Sequence, residues 1–206
     1  DGYYNSMRLF AIGDLHLSGN PPKKPMEVFG PRWKNHWQRI AEDWKNRVTD
    51  DDTVLIAGDT SWAMRLDEAQ EDLDQIRALP GKKLIIRGNH DYWWASAGKL
   101  NRMDAENNMH YLYGSTAVLD DGTIICGTHG WICPGDIHYQ EERDAKPYRR
   151  ELLRVERFLR ENRFPDALYV YPFYLVCSHA VEREEFLEVF FGVRRAEENM
   201  HRQRLV

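Results

Sequence analysis

Cysteine is scarce in this chain, and the three present, Cys126, Cys133 and Cys177, are odd in number and show no Cys-x-x-Cys spacing. That excludes a disulfide framework and a zinc knuckle, and it fits a reducing cytoplasm. Long apolar runs are missing as well: nothing approaches the ~20 residues of a membrane-spanning helix. Positive charge is not in excess, since 28 Lys and Arg face 33 Asp and Glu, for a net charge of −5. A general attraction to nucleic acid or to an anionic membrane is therefore not indicated. Internal repeats and low-complexity linkers are absent too. Residues 1–6 lack the basic and apolar regions of a secretory signal, and we expect them to be a leader or residues added to the natural chain.

What is present is enough for a core. The 206 residues are 42% hydrophobic and include seven Trp, ten Tyr and eight Phe. A chain of this length buries roughly 70% of its unfolded surface as one domain. We expect that domain to span residues 7–206.

Three short apolar runs read as strands: Arg8 to Ile12, Thr53 to Ala57 and Lys83 to Ile86. Between the first two, Trp33, Trp37, Ile40, Ala41, Trp44 and Val48 recur at helical intervals. Between the second and third, Leu66, Ala69, Leu73, Ile76 and Leu79 do the same before Pro80-Gly81. The resulting β-α-β-α-β order implies parallel strands whose C-terminal ends share one edge. Beyond residue 105, Tyr111 to Tyr113, Ala117 to Leu119 and Thr123 to Cys126 predict short strands of a second, mixed or antiparallel sheet, with a turn at 120–122. A charged helix is expected from about Tyr139 to Arg163, burying Leu152, Leu153, Val155, Phe158 and Leu159. Leu168 to Cys177 reads as a further strand.

Each of the first three strands runs into a polar string: Gly13-Asp14-Leu15-His16, Gly58-Asp59 and Gly88-Asn89-His90-Asp91. Carboxylate, imidazole and amide oxygen suit divalent first-row metals, and a strand end fixes the backbone that carries them. Asp14 and His16, two residues apart, are placed to hold one ion together. Asp59 offers one oxygen to each of two ions about 3.5–4 Å apart. Asn89 gives a neutral oxygen to the second ion, which limits the negative charge that a phosphate must face. His90 is then the catalytic imidazole, and Asp91 the group that holds its ring or its charge. Taken singly, Gly-Asp is a common turn, Asn-His a common helix cap and a lone histidine a structural residue. Their joint occurrence after three successive strands favours the metal site.

Through these same strings the chain resembles the calcineurin-like metallophosphoesterases. From Met7 to Glu151 it also resembles a group of uncharacterised bacterial predicted phosphohydrolases, through Gly58-Asp59-Thr60-Ser61-Trp62-Ala63-Met64, Gly88-Asn89-His90-Asp91-Tyr92-Trp93-Trp94 and Gly127-Thr128-His129-Gly130-Trp131-Ile132-Cys133-Pro134-Gly135. The resemblance implies an α/β fold, a four-layer α/β/β/α sandwich of two mixed sheets. It further implies a dinuclear centre of Mn, Fe or Zn with a metal-bridging hydroxide as nucleophile. Asp14 and His16 would bind the first metal, Asp59 would bridge, Asn89 would bind the second, and His90 would assist catalysis. The expected activity is hydrolysis of a phosphomonoester or phosphodiester.

The family pattern also carries a fourth-motif histidine and a late Gly-His-x-His segment. Here no Gly-His-x-His occurs, and Val170-Tyr171-Pro172-Phe173 stands where the closer group has His-Tyr-Pro-Pro. His179 is the best substitute for the fourth histidine as a metal ligand, against a plain surface histidine, and we expect the C-terminal part to be altered or truncated. That leaves a second reading, an impaired protein that keeps the fold and binds phosphate or metal without turnover. A third, a nucleotide-sugar lipid pyrophosphatase, draws on Asp14-Leu15-His16-Leu17-Ser18 but lacks an obvious apolar lipid-binding helix. Asn20 to Pro31 is either a substrate mouth or a solvated loop, and Arg87 either a phosphate contact or a structural ion pair. A packed role is favoured over phosphate contact for His129, and burial over base stacking for Trp93 and Trp94.

Overall fold

Val54-Leu55-Ile56 carries no polar side chain, the pattern of a strand covered on both faces, and it lies at the centre of a sheet. The computed structural model describes residues 7–120, 122–161 and 167–170, with the backbone alone for 158–161 and 167–170. The chain divides into two compact units, Asp1–Tyr111 and Leu112–Val206. In the first, β1 (Leu9–Ile12) pairs in parallel with β2 (Thr53–Ile56), and β2 in parallel with β3 (Lys82–Ile86). Helix α1 (His36–Arg47) joins β1 to β2, and α2 (Leu66–Arg77) joins β2 to β3. Trp44 of α1 is buried and donates its indole N–H to Pro80 O at 3.0 Å, while Ala69, Leu73 and Ile76 of α2 are buried in the same core.

Two features depart from the expectation. A short helix, α3 (Ala97–Met103), follows β3, started by Ser96, whose hydroxyl accepts from the Lys99 amide at 3.2 Å. Strand β4 (Met109–Leu112) then completes the order β1-β2-β3-β4, so it belongs to the first sheet and does not open the second. Polar anchoring explains the placement. Tyr111 is fully buried, and its hydroxyl donates to Asp104 at 2.8 Å, which also accepts from Arg77 of α2 at 2.7 Å.

Lys83 in β3 is wholly buried, its ammonium donating to Leu79 O. Burial lowers its pKa from 10.5 to about 8. Between those values the unfolded chain binds the proton that the folded chain has shed, so stability rises with pH across that window. Replacing Lys83 with methionine is expected to raise the unfolding free energy at pH 7 by about 2 kcal/mol and to flatten that rise. Urea titrations at pH 7 and pH 10 check both.

In the second unit β5 (Ser115–Val118) and β6 (Ile124–Gly127) form an antiparallel hairpin, and β7 (Ala167–Val170) pairs in parallel with β6. The mixed second sheet is thus as expected. Helix α4 (Glu141–Glu161) lies between β6 and β7, and the anticipated buried stripe departs from expectation at its first two positions; Val155 is half-buried, and the side chains of Phe158 and Leu159 lie outside the described residues. Leu152 and Leu153 are 43% and 56% exposed, whereas Asp144 and Glu151 are buried. The carboxylates lie seven residues apart, on one helical face, and each is satisfied there: Asp144 accepts from Trp131 and Arg143, and Glu151 from Thr128 and Arg154. Among the described residues no helix is long and apolar enough to cross a membrane.

Candidate metal centre

Because β1, β2 and β3 are parallel, the segments that leave them emerge at one edge of the sheet. They do not disperse into independent loops. The Asp14 amide donates to Gly58 O at 3.2 Å, His16 to Asp59 O at 2.9 Å, Leu17 to Thr60 O at 3.0 Å, and Trp62 to Leu17 O at 2.8 Å. These parallel rungs extend the β1–β2 pairing past the strand ends, closing with a bridge between Leu17 and Ser61. The ladder holds unusual backbone: Asp14, His16 and Asp59 have φ of 56°, 47° and 51°. Left-handed backbone costs a non-glycine residue roughly 1–2 kcal/mol, and such residues concentrate at functional sites.

The third segment is seated by glycines. A Cβ on Gly58 would lie 2.6 Å from Gly88 Cα, and one on Gly88 would lie 2.1 Å from Asp59 N and Oδ1. Only hydrogen at both positions lets the Gly88 backbone pass against Asp59. His90 follows, its amide donating to Asp59 Oδ1 at 2.9 Å and its Nδ1 lying 2.8 Å from Asp59 Oδ2. His16 Nε2 lies 3.3 Å from Asp14 Oδ1 and 3.9 Å from Asp59 Oδ2. The Asn89 amide nitrogen is 3.3 Å from His90 Nε2. Asp14, His16, Asp59, Asn89 and His90 therefore form one chain of contacts, with ligand atoms of His16, Asp59 and His90 all within 4.8 Å of one another.

This donor set fits a metal. Two imidazoles and one carboxylate converge, with the Asp14 carboxylate beside His16; His16 and Asp59 are each 7% exposed, and His16 Nδ1 is buried without a hydrogen-bond partner. Groups that mainly accept hydrogen bonds gain from a cation among them, and this mixture of nitrogen and oxygen suits Mn, Fe or Zn. His179 lies outside the described residues, as does Cys177.

Asp91 occupies a different place from the one expected. The carboxylate on the His90 ring is that of Asp59, and Asp91 bonds four other N–H groups. Its Oδ1 accepts from the Thr60 and Ser61 amides at 2.8 and 3.2 Å and from Trp93 Nε1 at 2.9 Å, and its Oδ2 from the Gly88 amide at 2.8 Å. Asp91 is fully buried, and burial pushes its carboxyl pKa up against the pull of those donors. It clamps the segment after β3 to the segment after β2. A second buried carboxylate does the same for the segment after β1: Asp72 of α2 accepts from Ser61 Oγ at 2.5 Å and from the Gly19 amide at 2.7 Å.

Trp62 carries no role in the sequence reading, yet its ring stacks on His16 at 4.6 Å and 18° and lies 4.9 Å from His90. The Lys24 ammonium sits 5.6 Å from the same ring. The signal was the position of Trp62, three residues after Asp59 on the segment that Leu17 pairs. Trp93 is 2% exposed and belongs to the core, and Trp94 packs edge-on to Tyr111 at 5.5 Å, as burial predicts. His129 belongs to the second unit, where its ring lies 5.8 Å from Trp131.

Comparison with known proteins adds a family. The model of the calcineurin-like phosphoesterases matches residues 7–193. Among solved structures, a protein of unknown function from Aquifex aeolicus is 22% identical, with 75% of this chain and 73% of that chain covered and a TM-score of 0.44. The phosphopantetheinyl hydrolase of Mycobacterium tuberculosis is 16% identical, with 90% and 72% covered and a TM-score of 0.49. No curated protein matches the sequence.

Proposed function

Since this chain belongs to the calcineurin-like phosphoesterase family, we propose that it hydrolyses a phosphomonoester or phosphodiester at a dinuclear centre held by Asp14, His16, Asp59 and Asn89. The observation that carries this reading is the convergence of His16, Asp59 and His90 from three different segments onto one point at the sheet edge. His179 is retained as a proposed further ligand on the resemblance of its motif. Bound divalent ions would supply Lewis-acid charge to the phosphoryl oxygens and would make water more acidic.

The side chains divide the remaining work. Asp59 is held at both oxygens by His90, one by the backbone N–H and one by the ring, so its carboxylate has a fixed orientation. With Nδ1 of His90 bonded to Asp59, Nε2, which lies 3.3 Å from the Asn89 amide nitrogen, is the nitrogen that would exchange that contact for a proton held at the leaving-group oxygen. Asp91 and Asp72 position without touching the reacting atoms. The scarcity of cysteine supports a cytoplasmic location.

Elemental analysis of protein reconstituted with Mn²⁺ and desalted is expected to give two ions per chain, with p-nitrophenyl phosphate hydrolysis that a chelator abolishes. Phosphate binding without turnover, with one ion or none, would overturn this reading in favour of a binding protein.

A further inference from the structure

The loop after β1, α1 and α2 enclose a cavity of about 580 Å³, and His16 is part of its wall. The cavity and the metal cluster therefore share a side chain. Its size falls in the usual range of small-molecule sites, ~300–1,000 Å³. The loop is anchored at both ends of its first turn: Gly19 bonds to Asp72, and Ser18 Oγ accepts from the Lys24 amide at 3.0 Å. Much of the lining is apolar, with Met26 buried and Trp33 and Trp37 half-buried.

One polar group in the wall has unused capacity. Trp37 Nε1 lies 2.8 Å from Gln75 Oε1, and an indole N–H can only donate, so this contact fixes which end of the Gln75 amide is oxygen. The opposite end, Nε2, is buried and has no hydrogen-bond partner. A buried N–H without a partner is costly, and a carbonyl oxygen supplied by a ligand removes that cost. The charged residues of the wall are Glu27, Glu42 and Lys45, a net negative set that disfavours an anionic occupant.

Resting on the phosphoesterase reading above, we propose that this cavity is the leaving-group subsite. It takes the alcohol part of the phosphate ester, an extended and uncharged group with apolar surface for Met26, Trp33 and Trp37 and a carbonyl oxygen for Gln75 Nε2. The Pro- and Gly-rich loop is then the substrate mouth.

Two esters test it: p-nitrophenyl phosphate, which has no carbonyl oxygen for Gln75, and the phosphate monoester of N-benzyl-4-hydroxybenzamide, which carries an uncharged amide tail. Gln75→Glu keeps the acceptor for Trp37 and removes the donor. Gln38→Trp narrows the cavity from an exposed position on α1. Each is expected to lower the ratio of kcat/KM for the amide ester over p-nitrophenyl phosphate about tenfold, through KM. A ratio that moves in neither variant overturns the subsite. If neither ester is hydrolysed by the unaltered protein, the phosphoesterase reading fails and the cavity is read separately, by quenching of tryptophan fluorescence with N-benzyl-4-hydroxybenzamide itself. Saturable quenching that weakens about tenfold in Gln75→Glu supports the cavity as the site for such a group, and quenching that does not saturate overturns it.

Discussion

Replacing Asp59 with alanine is expected to lower the proposed metal-dependent phosphoester hydrolysis on the order of a thousandfold and to cost at least one of the two Mn²⁺ ions expected on reconstitution. The size of the effect follows from the number of partners that meet at this one carboxylate. Both oxygens engage His90, Oδ2 faces His16, and Oδ1 fills the space over Gly88 that a side chain there would need. Alanine would leave the two imidazoles without the anion between them. It would also place a residue without a polar side chain in left-handed backbone, which adds roughly 1 kcal/mol of instability.

Asp59→Asn separates the two contributions. Asparagine tolerates the left-handed conformation and still accepts from the His90 amide, so folding should survive while the charge is lost. We expect its melting temperature to stay close to that of the parent and its activity to fall nearly as far as that of the alanine variant. Assays over a Mn²⁺ titration, alongside elemental analysis, check both variants. Two tightly bound ions and activity within tenfold of the parent in Asp59→Asn would remove Asp59 from the centre.

The largest effect on stability is expected at Asp91. Asp91→Ala would strand the N–H groups of Thr60, Ser61, Gly88 and the Trp93 indole in a buried place, each at roughly 1–3 kcal/mol. The expected result is protein that does not fold, or a loss of about 4 kcal/mol or more in urea. Asp91→Asn keeps one acceptor oxygen but must set its amide N–H₂ against one of the same donors, so a loss of about 2 kcal/mol is expected. This comparison separates a clamp from a group that acts on the His90 ring. A clamp shows itself in unfolding midpoints for both variants; a ring partner would leave stability alone and shift the pH profile of kcat. Midpoints within experimental error of the parent for Asp91→Asn would reject the clamp.

Much of the first unit could be read from residues alone. The apolar runs of β2 and β3 and the helical periods of α1 and α2 agree with one another, and local and long-range preferences point to the same parallel arrangement. The site was legible for a related reason. Asp14, Asp59 and His90 each stand just beyond a strand, and parallel strands bring such positions to one edge.

What escaped notice depended on pairing across the chain. The face of α4 that is buried is chosen by Asp144 and Glu151, and a carboxylate reads as a surface residue unless Trp131, Arg143, Thr128 and Arg154 are known to meet it. Strand β4 looked like the start of a second sheet because nothing in Tyr111-Leu112-Tyr113 says which neighbour it joins; the bond from Tyr111 to Asp104 belongs to the folded chain. Asp91 was misjudged through its adjacency to His90. Neighbours in sequence point different ways off irregular backbone, and two of its four partners are 30 and 31 residues upstream, at Ser61 and Thr60.

The rungs that tie 14–17 to 58–62, together with the Asp91 bonds that tie 60 and 61 to 88, have a consequence for how such a site can vary over evolutionary time. The first two segments set each other's position through backbone atoms, which among substitutions only proline alters, and the third is held by the Asp91 carboxylate and by two glycines, neither replaceable without displacing the Gly88 backbone or Asp59. A change that shifts one segment alters the tolerance of the other two, so their effects combine non-additively. The three motifs then behave as one inherited character. Drift within them is confined to coordinated sets of changes, while the cavity walls contributed by α1 and the loop before it remain free to diversify independently.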